Sequence, residues 1–238
     1  GERGLYGSQM GGSQMAVFRK IGNQVQLIAK NTEFFAKEGT PQAQFVSESF
    51  SDSLIASAAL AAQPHPETKA IVVDAGALLF NDIPGYLTRL ETAFRMPFAL
   101  DKANTSISSA SAAEHMTTIQ VNAHFSVPKL SAPPLTPPPA PTPPPPKATP
   151  DPRSLFAGFQ YNFARLPAEP MQARLADERV GYFTTSRVDY TDDVAAKPRI
   201  EIVERWRLEK KDPAAAVSEP KEPITYWLDK NIPEKYRK

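Results

Sequence analysis

The 238-residue chain contains no cysteine and almost no excess of charge of either sign. The missing cysteines exclude disulfide bonds, thiolate metal sites and a cysteine nucleophile. Lys and Arg number 27 against 26 Asp and Glu, which leaves a net charge of +1. This balance gives no electrostatic reason to expect binding to nucleic acid or to an anionic membrane. The longest apolar run, residues 70–80, falls short of the ~20 residues of a membrane span, so no transmembrane segment is predicted.

Histidine occurs only three times, as His65, His115 and His124. A zinc peptidase with an HExxH motif needs two imidazoles four residues apart on one helix face, together with a glutamate that activates the metal-bound water. Pro64 and Pro66 forbid a helix around His65, and the other two histidines are nine positions apart on a predicted strand. GxSxG and P-loop motifs are also missing. We therefore assign no catalytic, cofactor-binding or metal-binding residue, and expect exposed histidines or histidines satisfied by polar neighbours.

The apolar pattern predicts a β-rich α+β fold of mostly antiparallel sheets built from hairpins. Gly22 and Asn23 tolerate positive φ and suit a two-residue hairpin turn. Residues 69–74 are the clearest candidate for a buried strand, whereas 53–62 suit either a helix or an edge strand, and 44–50 alternate only weakly. The polar range 101–113 receives no strand. The other predicted strands are 16–21, 24–29, 34–35, 115–126, 156–166, 179–185, 199–207 and 224–229.

One short amphipathic helix is predicted over residues 85–94. Leu87, Leu90 and Phe94 recur at helical spacing on one face, and Asp82 is expected to cap the N-terminus. A second helix is expected to start at Pro233, because proline suits the first turn.

Residues 133–152 contain 12 of the 25 prolines. Proline at this density fixes φ and removes backbone donors, so the range should be an extended polyproline II excursion. It lies between two strands that can pair, which predicts a solvent-exposed insertion at the tip of a long hairpin. We favour a tolerated loop insertion, and keep as the alternative a docking site for a proline-binding partner.

Two segments, residues 170–185 (PMQARLADERVGYFTT) and 205–213 (RWRLEKKDP), the second followed by 218–229 (SEPKEPITYWLD), resemble signatures of a family of bacterial zinc-dependent, metzincin-like metallopeptidases. Residues 17–19 and 72–84 resemble the same family more loosely. In that family these segments lie in an uncharacterised domain immediately upstream of the catalytic domain. The resemblance implies that this chain is the non-catalytic N-terminal region of a secreted metallopeptidase. Zinc is then expected only in the catalytic domain that follows Lys238.

This interpretation gives four parts: a flexible Gly-rich lead-in (1–14), a β-rich upstream domain (15–212), a linker (213–223), and the first strand and helix start of a truncated catalytic domain (224–238). Both ends look like cuts within a longer reading frame. The expected partners are the downstream catalytic domain of the same polypeptide, on which the chain packs and which it regulates, and the peptide substrate of the parent enzyme. Family members are exported, which implies a periplasmic, outer-membrane-associated or extracellular location.

Two alternatives stay open from the residues alone. The chain can be a protein- or peptide-binding β module that uses its proline-rich loop or a sheet edge, or it can be an independent enzyme. A cysteine switch is excluded as the means of regulation. A carboxylate in the first signature segment, Asp177, is the candidate that can take its place.

Overall fold

The structure is a computed structural model that describes residues 10–130, 132, 135–136, 141–192, 194–226 and 228–237. The chain divides into two compact units: the first holds residues up to Thr32 and Ser47–Pro167, and the second holds Glu33–Val46 and the residues from Ala168 onward. The predicted boundaries at residues 15, 213 and 224 stay predictions.

The architecture is β-rich α+β, as predicted, with three three-stranded sheets in the described part of the chain. Within those residues no helix combines the length and the hydropathy needed to cross a bilayer. In chain order the elements are β1 (Ala16–Ile21), β2 (Gln24–Ala29), β3 (Phe34–Phe35), α1 (Pro41–Ser49), β4 (Ser53–Ala59), α2 (Ala75–Leu79), α3 (Tyr86–Phe94), β5 (Ala99–Ala112), β6 (Met116–Ser126), β7 (Ser154–Ala164), β8 (Thr184–Asp189) and β9 (Arg199–Val203), followed by a 3-10 turn at Glu234–Tyr236.

The first sheet of the first unit has the order β1-β2-β4 and is antiparallel. Its hairpin turn is the predicted one, with Gly22 at a φ of +55°, which glycine adopts without steric cost. Of the two structures left open for residues 53–62, the edge strand is observed as β4. Pairing with β2 buries Ala56 and Ala58 of this strand, so tertiary contacts override its helical propensity.

The second sheet of this unit has the order β5-β6-β7, with β6 in the centre. The β6–β7 register runs without a shift from Met116↔Ala164 to Ser126↔Ser154. The apolar face of this sheet packs against α2, α3 and β4 to form the core of the unit. Its buried members are Leu27, Ala56, Ala58, Leu78, Leu79, Leu90, Phe94, Met96, Phe98, Val121, Ala123, Phe125 and Val127.

The predicted amphipathic helix is α3, and it buries Leu90 and Phe94 as expected. Gly85, and not Asp82, occupies the N-cap position of this helix, but the Asp82 carboxylate makes the capping contacts expected of it. The two carboxylate oxygens of Asp82 accept hydrogen bonds from the backbone N–H groups of Tyr86 (2.6 Å) and Leu87 (2.8 Å). Two of the helix's unpaired N-terminal donors are thereby satisfied.

The prediction of a buried strand at residues 69–74 is wrong. Val72 is 57% exposed. The β pairing described for this stretch is an isolated bridge between Leu60 and Val73, beside backbone hydrogen bonds from the Ala61 N–H to the Val72 carbonyl and from the His65 N–H to the Ala70 carbonyl (both 2.8 Å). Asp74 instead accepts a hydrogen bond from the Gly76 N–H (2.8 Å) and caps α2. The apolar residues that are buried here, Leu78 and Leu79, belong to this helix. A short apolar run has no period that separates a buried strand from a buried helical turn.

Two further assignments are corrected by the structure. Residues 44–50 lie mostly in the helix α1. The Thr40 hydroxyl accepts a hydrogen bond from the Ala43 N–H (3.2 Å) at the start of this helix, and Pro41 is its first residue, a position that proline favours. The small polar range 101–113, whose composition predicts no strand, lies largely in β5. Its Ser, Ala and Asn residues have poor strand propensity, but pairing along the length of β6 makes it a strand.

The proline-rich range lies at the tip of the β6–β7 hairpin, as predicted, because these strands pair as far as Ser126↔Ser154. Residues 133–134 and 137–140 of this range lie outside the described residues, and the rest contains no helix or strand. In the Gly-rich lead-in, 1–9 are likewise outside the described residues.

The second unit contains the sheet β3-β8-β9, in which β3 is parallel to β8 and β8 is antiparallel to β9. The strand predicted over 179–185 begins only at Thr184, and the one predicted over 199–207 ends at Val203. In the predicted strand 224–229, the described residues 224–226 and 228–229 adopt no strand. Where a helix is predicted to start at Pro233, the structure has the three-residue 3-10 turn Glu234–Tyr236, and Pro233 is its N-cap, outside the first turn.

Phe125 and Phe156, on neighbouring strands of one sheet, form a matched pair for testing this packing. Phe125 is fully buried and Phe156 is 59% exposed. Phe125→Ala is expected to lower the free energy of unfolding of the first unit by about 3–5 kcal/mol, because it leaves a cavity. Phe156→Ala should change it by under about 1 kcal/mol. Urea unfolding followed by far-UV circular dichroism measures both, and equal losses would contradict the described orientation of the sheet.

Candidate functional site

The three histidines have different surroundings. His65 lies in a turn, where its Nδ1 accepts the N–H groups of Glu67 and Thr68 at 3.3 Å. His115 is exposed beside Glu114. Among the described residues, no three His, Cys, Asp or Glu side chains are grouped so as to hold a metal ion.

His124 lies between a carboxylate and a hydroxyl. Its Nδ1 is 2.9 Å from Oδ2 of Asp101, and its Nε2 is 2.8 Å from Oγ of Ser154. Strand register brings these residues together: Asp101 on β5 lies opposite His124 on β6, which lies opposite Phe156 on β7. Ser154 is two positions from Phe156, so its side chain emerges on the same face of the sheet.

The Asp101 carboxylate orients the imidazole of His124. Asp101 also accepts hydrogen bonds from the side-chain amide (2.7 Å) and backbone N–H (3.3 Å) of Asn104. The bond from the Asn104 side chain, followed by that from His124, lowers the pKa of Asp101. An ionised carboxylate only accepts hydrogen bonds, so Nδ1 of His124 is the donor to Asp101. In the tautomer that carries its proton on Nδ1, Nε2 can accept the Ser154 hydroxyl.

The last turn of the proline-rich connection holds Ser154 in place. The backbone N–H of Ser154 donates to the Asp151 carbonyl (3.1 Å), and that of Arg153 donates to the Asp151 carboxylate (2.9 Å). The Arg153 guanidinium contacts both oxygens of this carboxylate and lowers the pKa of Asp151 to about 2. Ser154 therefore starts β7 from a turn with several internal hydrogen bonds.

Sequence reasoning missed this arrangement because its members are far apart in the chain. His124 is 23 positions from Asp101 and 30 from Ser154, and no local motif links them. The alternation of β6 did indicate part of the site, because it places His124 on the face of the sheet opposite to the buried Phe125. The partners, however, depend on β5, a strand that was not predicted, and on the register across the proline-rich connection.

In the second unit, the first signature segment and Val203 of β9 line a surface groove of about 360 Å³. The residues of the segment that line it are Arg174, Leu175, Asp177, Arg179, Val180 and Tyr182. Asp177, proposed above as a substitute for a cysteine switch, is held by Arg179. The guanidinium Nε and Nη2 lie 2.8 and 2.6 Å from its two oxygens, and the Arg179 backbone N–H donates at 3.0 Å. These side-chain bonds lower the pKa of Asp177 to about 2. Any ligand of this carboxylate must compete with Arg179.

The second signature segment belongs to residues 204–237, which we call the C-terminal arm. None of its described residues is buried. Trp206 is 56% exposed and Tyr226 is 75% exposed, and their ring centroids are 6.3 Å apart. The arm is nonetheless held by hydrogen bonds. Arg205 Nη2 donates to the Gln172 carbonyl and Arg207 Nη1 to the Glu169 carbonyl (both 2.9 Å). Within the arm, the Lys211 N–H donates to the Glu219 carbonyl and the Lys221 N–H to the Glu209 carbonyl (both 2.8 Å).

The family model described as a domain of unknown function, DUF5117, matches residues 8–211. No curated protein and no solved structure matches the chain.

Replacing Arg179 with Gln should raise the pKa of Asp177 from about 2 toward its ordinary value of 3.8, because the charge-assisted hydrogen bonds are lost. The folded-state pKa is depressed, so the stabilisation from this pair is present above pH 3.8 and is lost as the pH falls toward 2. Carboxyl NMR titration measures the shift. The matched exchange Arg153→Gln should move Asp151 and leave Asp177 unchanged; an unmoved Asp177 in R179Q would refute the ion pair.

Proposed function

The chain belongs to the DUF5117 family of domains of unknown function, and from that premise we propose that it is the N-terminal region of an exported bacterial zinc-dependent metallopeptidase. In this role it contributes nothing to the zinc site. It packs on the catalytic domain that follows it in the polypeptide, and it regulates access to that domain. The resemblance of residues 170–185, 205–213 and 218–229 to such metallopeptidases motivates the proposal.

The observation that carries the packing role is the C-terminal arm. It is held by hydrogen bonds from two arginine side chains to backbone carbonyls and by hydrogen bonds within its own backbone. It nevertheless exposes Trp206 and Tyr226 side by side. Removing apolar surface from water is worth roughly 25 cal/mol per Å², so an ordered segment that displays aromatic rings gains stability when another surface covers it. The part of the catalytic domain beyond Lys238 is the proposed covering surface.

The charges of the arm are consistent with such a contact. Glu209 pairs with Arg207 (2.9 Å) and with Lys221 (3.2 Å), and both cations lower the pKa of Glu209 through hydrogen bonds. Because these charges are paired within the arm, they need no partner on the covering surface. Protein interfaces usually combine an apolar core with a polar, solvent-accessible rim.

The described residues do not fit a zinc site, since no three candidate ligands lie together. Asp177 is the carboxylate of the first signature, and Arg179 already engages both of its oxygens. We therefore propose that regulation acts by covering or shaping the cleft of the catalytic domain. Direct coordination of its metal by this chain is not part of the proposal.

The proline-rich connection supports a second candidate function, the binding of a proline-recognising protein. The β6–β7 hairpin closes firmly at its base, where the Val127 N–H donates to the Arg153 carbonyl (2.9 Å). Beyond this closure Pro141, Pro144 and Pro145 are exposed and form no helix or strand. Aromatic-lined grooves recognise proline segments of this kind. Deletion of residues 133–152 should abolish binding of such a partner. Full binding after the deletion would exclude the loop as the binding site.

The gene supplies the first test of the leading proposal. A reading frame that continues past Lys238 into an HExxH helix is the expected result. A frame without that motif would eliminate the metallopeptidase assignment, whatever this chain binds.

A binding experiment tests the packing role. The catalytic domain is titrated with this chain by calorimetry, and its peptidase rate is recorded with and without the chain. The double change Trp206→Ala and Tyr226→Ala should weaken the complex at least tenfold, because central aromatic residues contribute most to interface affinity. Phe156→Ala, at a comparably exposed ring in the first unit, is the matched control and should bind normally. No complex and an unchanged rate would reject packing and regulation alike.

A further inference from the structure

We infer that Ser154 is a nucleophile activated by His124 and Asp101, and that the outer face of the β5-β6-β7 sheet carries an acyl-transfer site for activated esters. The inference is independent of the proposed packing role, which rests on the arm of the second unit. It gives the first unit a chemistry of its own.

The geometry meets the requirements for an activated serine. A nucleophile must lie within hydrogen-bond reach of a base, and a third group must orient that base. Here the serine hydroxyl is 2.8 Å from Nε2 of His124, and Asp101 is 2.9 Å from Nδ1. The side chain of His124 is 13% exposed, so water competes little for its nitrogens, whereas the neighbouring Phe156 ring is largely exposed and lies 4.7 Å from the imidazole.

The strands do not need this relay to hold together. The Thr105 hydroxyl already links β5 to β6 locally, since it donates to the Asp101 carbonyl (2.8 Å) and accepts the His124 backbone N–H (3.1 Å). Backbone hydrogen bonds from Val127 to Arg153 and from Ser154 to Asp151 fix the start of β7. The hydrogen bonds through the imidazole are therefore additional to the strand pairing, and they aim a basic nitrogen at a hydroxyl.

The chemical step needs no reagent beyond the ester and water. Oγ of Ser154 attacks the carbonyl carbon as its proton passes to Nε2 of His124, and the Asp101 carboxylate stabilises the resulting imidazolium. The tetrahedral intermediate breaks the bond to the alcohol, which leaves with the proton from Nε2. Water then attacks the acyl-serine and gives a proton to Nε2. The acid departs, and the Ser154 oxygen takes the proton back.

The rate enhancement that a general base can supply limits the class of substrate. General-base assistance of this kind is worth about 10²–10⁴-fold, which suits esters with good leaving groups better than amides. The exposed ring of Phe156 offers an apolar surface for an aryl group beside the imidazole. Aryl acetates and aryl-tagged fluorophosphonates, which report on activated serines, are therefore the appropriate probes.

The decisive experiment treats the whole chain with a fluorophosphonate and maps the adduct by mass spectrometry. One adduct on Ser154 is expected, formed at least tenfold faster than any adduct on Ser111, an exposed serine of β5 that serves as the internal control. Absence of labelling at Ser154 in the folded wild-type chain overturns the inference. This readout requires no variant, so a failure to fold cannot obscure it.

Variants then separate the roles. Ser154→Ala should abolish both the adduct and the hydrolysis of an aryl acetate, and Ser111→Ala should change neither. Asp101 is a positioning residue, so Asp101→Asn should lower the maximal labelling rate at least tenfold without weakening the apparent affinity for the probe. Thermal unfolding of the variant checks that it is folded. Hydrolysis that persists in S154A, or labelling that is indifferent to Asp101→Asn, contradicts the relay.

Discussion

The pairing of β6 with both of its neighbours is the constraint on which the rest of the first unit depends. Because side chains alternate across a strand, one register decides two faces at once. Val121, Ala123 and Phe125 enter the core, and His124 emerges on the opposite side between Asp101 and Ser154. A slip of one residue would exchange the two faces, so the hydrophobic core and the polar relay are specified by the same hydrogen-bond ladder.

The second unit buries far less apolar surface than the first. Among its described residues only Val203 is a buried apolar residue, and its sheet has one short parallel pair and one antiparallel pair. With so little apolar surface buried, this sheet gains little stability from burial. Its arm is ordered by hydrogen bonds from arginines to backbone carbonyls while its aromatic rings stay in solvent. A metallopeptidase partner remains a proposal, and this exposed but ordered surface is the structural feature that supports it.

Both units use the same Asp-x-Arg turn. In Asp151–Arg153 and Asp177–Arg179 the aspartate accepts the backbone N–H of the arginine and pairs with its guanidinium. Exposed ion pairs contribute little to global stability, so the effect of these turns is local. One sets the backbone that presents Ser154, and the other occupies the carboxylate that the signature segment offers to the groove.

The sequence by itself determined the features whose signals are local. The Gly22-Asn23 hairpin, the alternation of β6 and β7, the amphipathic face of α3 with its Asp82 cap and the proline-rich hairpin tip all follow from turn chemistry or periodicity. Only the tertiary structure decided that residues 101–112 form a strand, that 69–74 do not, and that α1 is a helix. The Ser154–His124–Asp101 relay belongs to this second group, because it depends on pairing between residues far apart in the chain, which no local pattern encodes.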